Sequence, residues 1–144
     1  MRETTAPAFA LRNAAVAPPA RVLQLRHMAD KPSVPVPLEI SVEEARDLLA
    51  ARPLDTALID VREPFEHQTA RIAGAEFIPM RQIPEHVDSP ALPKDKHLLV
   101  HCHHGGRSLR VTEWLRAQGY PRVSNVAGGI HAWSARIDPA IPTY

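Results

Sequence analysis

The residues with the most chemistry to offer lie in positions 98–108, Leu-Leu-Val-His-Cys-His-His-Gly-Gly-Arg-Ser. Cys102 is the only cysteine of the chain; Gly105, Gly106, Arg107 and Ser108 follow it closely. Leu98-Leu99-Val100 is the short apolar run of a buried strand, and residues 109–118 begin an amphipathic segment. A strand that turns through glycines into a helix leaves backbone N–H groups unpartnered at one spot, and such a spot holds negative charge. Amides and Arg107 there would stabilise a thiolate, so Cys102 is expected to ionise more readily than a free thiol. The stretch reads as an anion cradle with a nucleophile at its lip. A lone cysteine is more often inert core; the glycines, the arginine and the helix start are what favour function.

The elements that must position this loop follow from periodicity. Residues 36–40 read as a first strand. Ser41-Val42-Glu43-Glu44 has capping-box spacing, and Ala45, Leu48 and Leu49 give the helix after it one apolar face. That helix should stop near Arg52, because Pro53 disfavours helical geometry in the residue before it. Residues 57–61 are a buried-strand pattern ending in charge, 63–70 a short helix with Pro64 in its first turn, and 76–78 a strand. Residues 81–88 make at most a short helix, interrupted by Pro84. Residues 97–101 form the central strand. A helix opens at Gly106 or Arg107, with Leu109, Val111, Trp114 and Leu115 apolar and Gly119 just past its end. Residues 123–126 are the last strand, and 130–135 a short helix with Trp133 in the core. Strands alternating with helices predict an α/β domain. In such a sheet ligands collect at the carboxyl ends of strands, which brings Asp60 and Arg62 near Cys102. Asp60 is expected to clamp the loop by pairing with Arg62. Arg62 is divided between that clamp and a contact to substrate.

The loop Cys102-His103-His104-Gly105-Gly106-Arg107-Ser108 resembles the active-site loop of the rhodanese-like domains, the thiosulfate sulfurtransferase family. Ile59-Asp60-Val61-Arg62-Glu63, Arg71-Ile72-Ala73-Gly74-Ala75, Ile78-Pro79-Met80 and Asn125-Val126-Ala127-Gly128-Gly129-Ile130 resemble its other signature stretches, in the same order. The resemblance covers residues 38–138. It implies a three-layer α/β domain, with a central, mostly parallel five-stranded sheet and helices on both faces. It also implies a catalytic Cys102 that carries sulfane sulfur as a persulfide. The implied donor is thiosulfate or another persulfide, and the acceptor is a thiol, on a small molecule or a protein, or cyanide. His103, His104, Gly105, Gly106, Arg107, Ser108 and Arg62 are the expected substrate-binding residues. Asp60 and Arg71, which stands where many members have a histidine, are expected to give structural support. Two other readings stay open: a cysteine phosphatase or arsenate reductase on the same scaffold, and a non-catalytic binding or sensing module. Tyrosine phosphatases place five residues between cysteine and arginine; here there are four, a ring that should crowd a phosphate.

Composition sets the outer limits. The 144 residues are 44% hydrophobic and 23% charged, ordinary for one globular domain with a real core. The net charge of +1 gives no argument for nucleic acid, and no nucleic-acid or membrane partner is expected. No apolar run approaches the ~20 residues of a membrane-spanning helix. One cysteine forbids an internal disulfide and suits a reducing, cytoplasmic setting. Six of the 15 prolines fall in residues 1–37, which read as a disordered or extended segment. Residues 1–27 are expected to be an upstream extension with Met28 as initiator, with a targeting segment or a true part of the protein as the other readings. Residues 139–144 read as a tail along the surface. His101-Cys102-His103-His104 offers four metal ligands in a row, but adjacent side chains diverge and do not close a tetrahedron, so neither metal nor cofactor is expected.

Overall fold

The computed structural model describes residues 35–144. Five strands, β1 (Glu39–Ile40), β2 (Thr56–Asp60), β3 (Glu76–Phe77), β4 (His97–His101) and β5 (Val123–Val126), form one sheet in the order β1-β5-β4-β2-β3. Every neighbouring pair is parallel, so the sheet expected to be mostly parallel is wholly so. Among the described residues, four α-helices, α1 (Val42–Ala51), α2 (Pro64–Thr69), α3 (Gly106–Ala117) and α4 (Gly129–Arg136), join the strands together with a 3-10 helix, Met80–His86.

Strand side chains alternate between the two faces of a sheet, and two cores result. Leu58 of β2 and Leu99 of β4 pack with Val42 and Ala45 of α1 and with Ile130 and Trp133 of α4. Ile59, Leu98 and Val100 point the other way, onto Val111 and Leu115 of α3 and Ile83 of the 3-10 helix. Because both faces are covered, the inner strands read as apolar runs rather than as alternating patterns. Among the described residues no helix is long and apolar enough to cross a membrane.

Local signals act as their chemistry requires. The Ser41 hydroxyl accepts from the Glu44 N–H at 3.0 Å, and the Glu44 carboxylate accepts from the Ser41 N–H at 2.9 Å, closing the capping box that starts α1. Pro84 lacks an amide donor, and the segment around it takes the tighter 3-10 form. Trp114 is 38% exposed and lines a cleft with Met80, Ile83 and Pro84, while Leu115 carries the buried face of α3.

The boundaries expected at the two ends need correction. The reading of residues 1–34 lies outside the described residues. Val36 and Pro37, however, belong to the domain: their carbonyls accept from Arg116 Nη2 at 2.9 Å and Ser124 Oγ at 2.6 Å. At the other end, Ile141 packs against the α1/α4 core and its carbonyl accepts from Ser134 Oγ at 2.6 Å. The last residues are thus tied in, and they carry Tyr144 to the carboxyl end of the sheet.

The topology explains where chemistry can gather. β4 lies between β5 and β2, with Asp60 in register with His101. Cys102 leaves the carboxyl end of this inner strand beside the end of β2, and α3 starts four residues later.

Candidate active site

Cys102 Sγ accepts hydrogen bonds from the Gly105 N–H at 3.1 Å, the Ser108 N–H at 3.4 Å and the Ser108 hydroxyl at 3.2 Å. Ser108 stands in the first turn of α3, where amides have no helical partner, so the sulfur takes the place of a missing carbonyl. Burial pushes the thiol up. The Ser108 hydroxyl and the amides of Ser108, Gly105 and Arg107 outweigh it, and the thiol ends below its ordinary range. The cradle is smaller than a full ring from 103 to 108: among the described residues the His103, His104 and Gly106 amides make no hydrogen bond to Sγ. Cys102 is also only 1% exposed. The sulfur lies at the floor of the cradle rather than at its lip.

The loop is held by backbone contacts that only small residues permit. Gly105 caps α3 with φ +112°, and a Cβ there would stand 3.2 Å from the Gly128 nitrogen. Gly129 has φ +57°, and a Cβ on it would collide with the carbonyls of Cys102 and His103. That close approach lets Ile130 N–H reach the Cys102 carbonyl at 2.9 Å and His131 N–H reach that of His103 at 3.1 Å. Buried Asn125 on β5 donates to the Gly105 carbonyl at 3.2 Å and to Glu39 at 2.8 Å.

Asp60 forms the expected clamp. Arg62 Nε and Nη2 meet its two oxygens at 2.8 and 2.7 Å, and Arg62 N–H adds a bond at 3.1 Å. Burial raises the Asp60 carboxyl, but the Arg62 hydrogen bonds, with help from His101 and His67, bring it to about 2. The expected contact between Arg62 and substrate is corrected. Arg62 is fully buried, and its remaining donors go to the carbonyls of Glu66 (3.2 Å) and Ala70 (2.7 Å) and to Tyr144 Oη (2.7 Å). No donor is left for a ligand. Arg71 is corrected too: it is exposed and has no side-chain partner among the described residues. Its turn is held instead by the Ala75 N–H to Ile72 carbonyl bond and by Gly74 at φ +86°.

The clamp positions α2, and α2 positions Glu66, a site residue that sequence reasoning missed. Glu66 takes Arg107 in a two-pronged pair, Nη1 to Oε2 at 2.7 Å and Nη2 to Oε1 at 2.9 Å. Its carboxylate also accepts from Tyr144 Oη at 3.0 Å and from the Glu63 N–H at 3.0 Å. The Arg107 hydrogen bonds, against burial, lower this carboxyl from 4.5 to about 2. Glu63 and Glu66 flank Pro64 at capping-box spacing. That signal marks a helix start, not an ion pair reaching 41 residues along the chain.

Histidines crowd the far side of the loop. His103 stacks on Tyr144, centroids 4.0 Å apart and planes 9° from parallel, and leans on His104 at 4.0 Å. Burial, with His104 and His131 nearby, keeps the His103 imidazole below its ordinary range. His101, by contrast, points into the protein. Its Nδ1 lies 3.3 Å from the Cys102 carbonyl and its Nε2 lies 4.0 Å from Asp60.

Comparison with known proteins places this arrangement. The sequence pattern described as "Rhodanese-like domain" matches residues 41–136. The chain is 42% identical over 92 residues to Rhodanese-like/PpiC domain-containing protein 12, chloroplastic, of Arabidopsis thaliana, covering 62% of this chain and 31% of that protein. It thus spans about a third of that relative's length. It is 34% identical over 97 residues to the thiosulfate sulfurtransferase GlpE of Coxiella burnetii, covering 67% of this chain and 87% of that protein. Among solved structures it resembles the human single-domain sulfurtransferase TSTD1 at a TM-score of 0.63 and 27% identity, over 70% of this chain and 98% of that one.

Proposed function

The chain belongs to the rhodanese-like domain family, and from that premise we propose that it is a sulfurtransferase working through a Cys102 persulfide. The observation that carries this reading is the convergence of two amides and one hydroxyl on a single sulfur at the start of α3. Fixed dipoles that hold a thiolate also hold the terminal sulfur of a persulfide, with little reorganisation between the two.

The reaction is nucleophilic catalysis in two steps. The Cys102 thiolate attacks the sulfane sulfur of the donor. A new S–S bond forms to Cys102, the donor's own bond to that sulfur breaks, and sulfite or a thiolate leaves with the electron pair. An acceptor thiolate, or cyanide, then attacks the outer sulfur, and Cys102 is released as thiolate. No general base is needed once the thiolate is formed. His103, His104, Gly105, Gly106, Arg107 and Ser108 are the substrate-binding loop of this reading. Because Glu66 engages both terminal nitrogens of Arg107, a donor meets a neutralised pair rather than a free cation. That charge balance favours a persulfide, on a small molecule or a protein, over the thiosulfate dianion. A lone thiol that must stay reduced between turnovers fits the cytoplasm.

Intact-mass spectrometry tests the proposal. The protein is treated in parallel with thiosulfate and with glutathione persulfide. The expected result is a gain of one sulfur, mapped to Cys102, discharged by cyanide and missing in Cys102→Ser. A gain that survives Cys102→Ser, or no gain with either donor, overturns it.

A further inference from the structure

We propose that His103, His104 and His131 form a binding site for a divalent transition-metal ion of the zinc class, beside the Cys102 loop. The ligand atoms of these three side chains all lie within 4.8 Å of one another. The absence of metal expected from sequence rested on the divergence of neighbouring side chains. The fold lifts that restriction, because His131 arrives from the first turn of α4, a separate element.

Three further features support a site rather than a chance cluster. His103 Nε2 is buried and, among the described residues, has no hydrogen-bond partner, which is costly for an imidazole nitrogen unless a ligand satisfies it. The backbone already registers the two segments, through the His131 N–H to His103 carbonyl bond of 3.1 Å and the close approach at Gly129. The His103 ring is steadied by its stack on Tyr144. Three imidazoles without a carboxylate suit zinc, nickel or copper and not the hard, oxygen-seeking calcium or magnesium. Tetrahedral zinc with bonds near 2.0 Å needs donor atoms about 3.3 Å apart. His104 and His131 are exposed, so their rings have room to turn toward that spacing. Three protein ligands would leave a fourth position open.

The test is a zinc titration of the full chain against a chromophoric chelator, in wild type, His131→Ala and Cys102→Ser. The site predicts one zinc per chain, binding at least tenfold weaker in His131→Ala, and undiminished binding in Cys102→Ser. Side-chain nitrogen NMR should show His103, His104 and His131 shifting on zinc addition, with buried His97 and His101 unmoved. If His131→Ala folds poorly, His131→Asn supplies the same comparison. Absence of stoichiometric binding, equal affinity without the His131 imidazole, or loss of binding in Cys102→Ser overturns the proposal, the last by placing the ion on the thiolate. These readouts do not involve sulfur transfer, so the site stands or falls independently of the catalytic reading.

Discussion

Replacing Glu66 with glutamine tests the chain of support behind the Cys102 loop. Four donors converge on the Glu66 carboxylate: both terminal nitrogens of Arg107, the Tyr144 hydroxyl and the Glu63 N–H. A glutamine has one acceptor oxygen and turns an NH2 group toward the arginine, so part of this set is lost. Holding the carboxyl at about 2 instead of 4.5 corresponds to about 3 kcal/mol in favour of the ionised, paired form. The Arg107 side chain is 36% exposed, so solvent screening reduces this to about 1–2 kcal/mol. A depressed carboxyl stabilises the fold above its unfolded value and loses that contribution as pH falls toward its folded value. Glu66→Gln should therefore be about 1–2 kcal/mol less stable at pH 7, with the deficit shrinking between pH 4.5 and 2. Urea unfolding followed by tryptophan fluorescence across that range measures it. A deficit equally large at pH 2 would mean that shape, not charge, makes Glu66 matter. No deficit at pH 7 would remove the ion pair from the support of the loop.

Three further substitutions probe the cradle and its packing. Ser108→Ala removes the hydroxyl that donates to Sγ at 3.2 Å; the thiol should titrate at higher pH, and iodoacetamide should alkylate Cys102 on the order of ten times more slowly at neutral pH, as the loss of one hydrogen bond to a charged group requires. An unchanged pH profile of alkylation would discard the hydroxyl as a thiolate donor. Gly129→Ala should cost about 2–4 kcal/mol, from left-handed backbone and a collision with two carbonyls. Gly106→Ala, where a Cβ meets nothing within 4 Å, should leave the melting temperature near that of wild type; equal effects at the two glycines would refute the packing argument.

What could be read from the chain alone follows a physical divide. β4 and β5 have the bounds expected for them because apolar runs bounded by charge and glycine are local signals. The capping box at Ser41 and the glycine-led start of α3 are local in the same sense. β1 and β3 came out shorter than read, two residues each, because edge strands have one neighbour and their pairing depends on where that neighbour ends. At the site, Cys102, Ser108 and Gly105 were legible from spacing. Glu66, His131 and Tyr144 were not, since each reaches the loop through tertiary structure. Arg62 shows the limit most clearly. An aspartate and an arginine two residues apart fit a clamp or a ligand contact equally well, and only burial of the guanidinium with every donor engaged decides between them.

The placement of β4 within the sheet has a consequence for durability. Transient opening begins where partners are fewest, and here that means the two-residue margins at Glu39–Ile40 and Glu76–Phe77. The Cys102 sulfur hangs from a strand flanked on both sides. The borders of the sheet can therefore breathe, exchange their amide protons and close again while the seat of Cys102 keeps its shape. Loss of that seat should coincide with global unfolding rather than precede it.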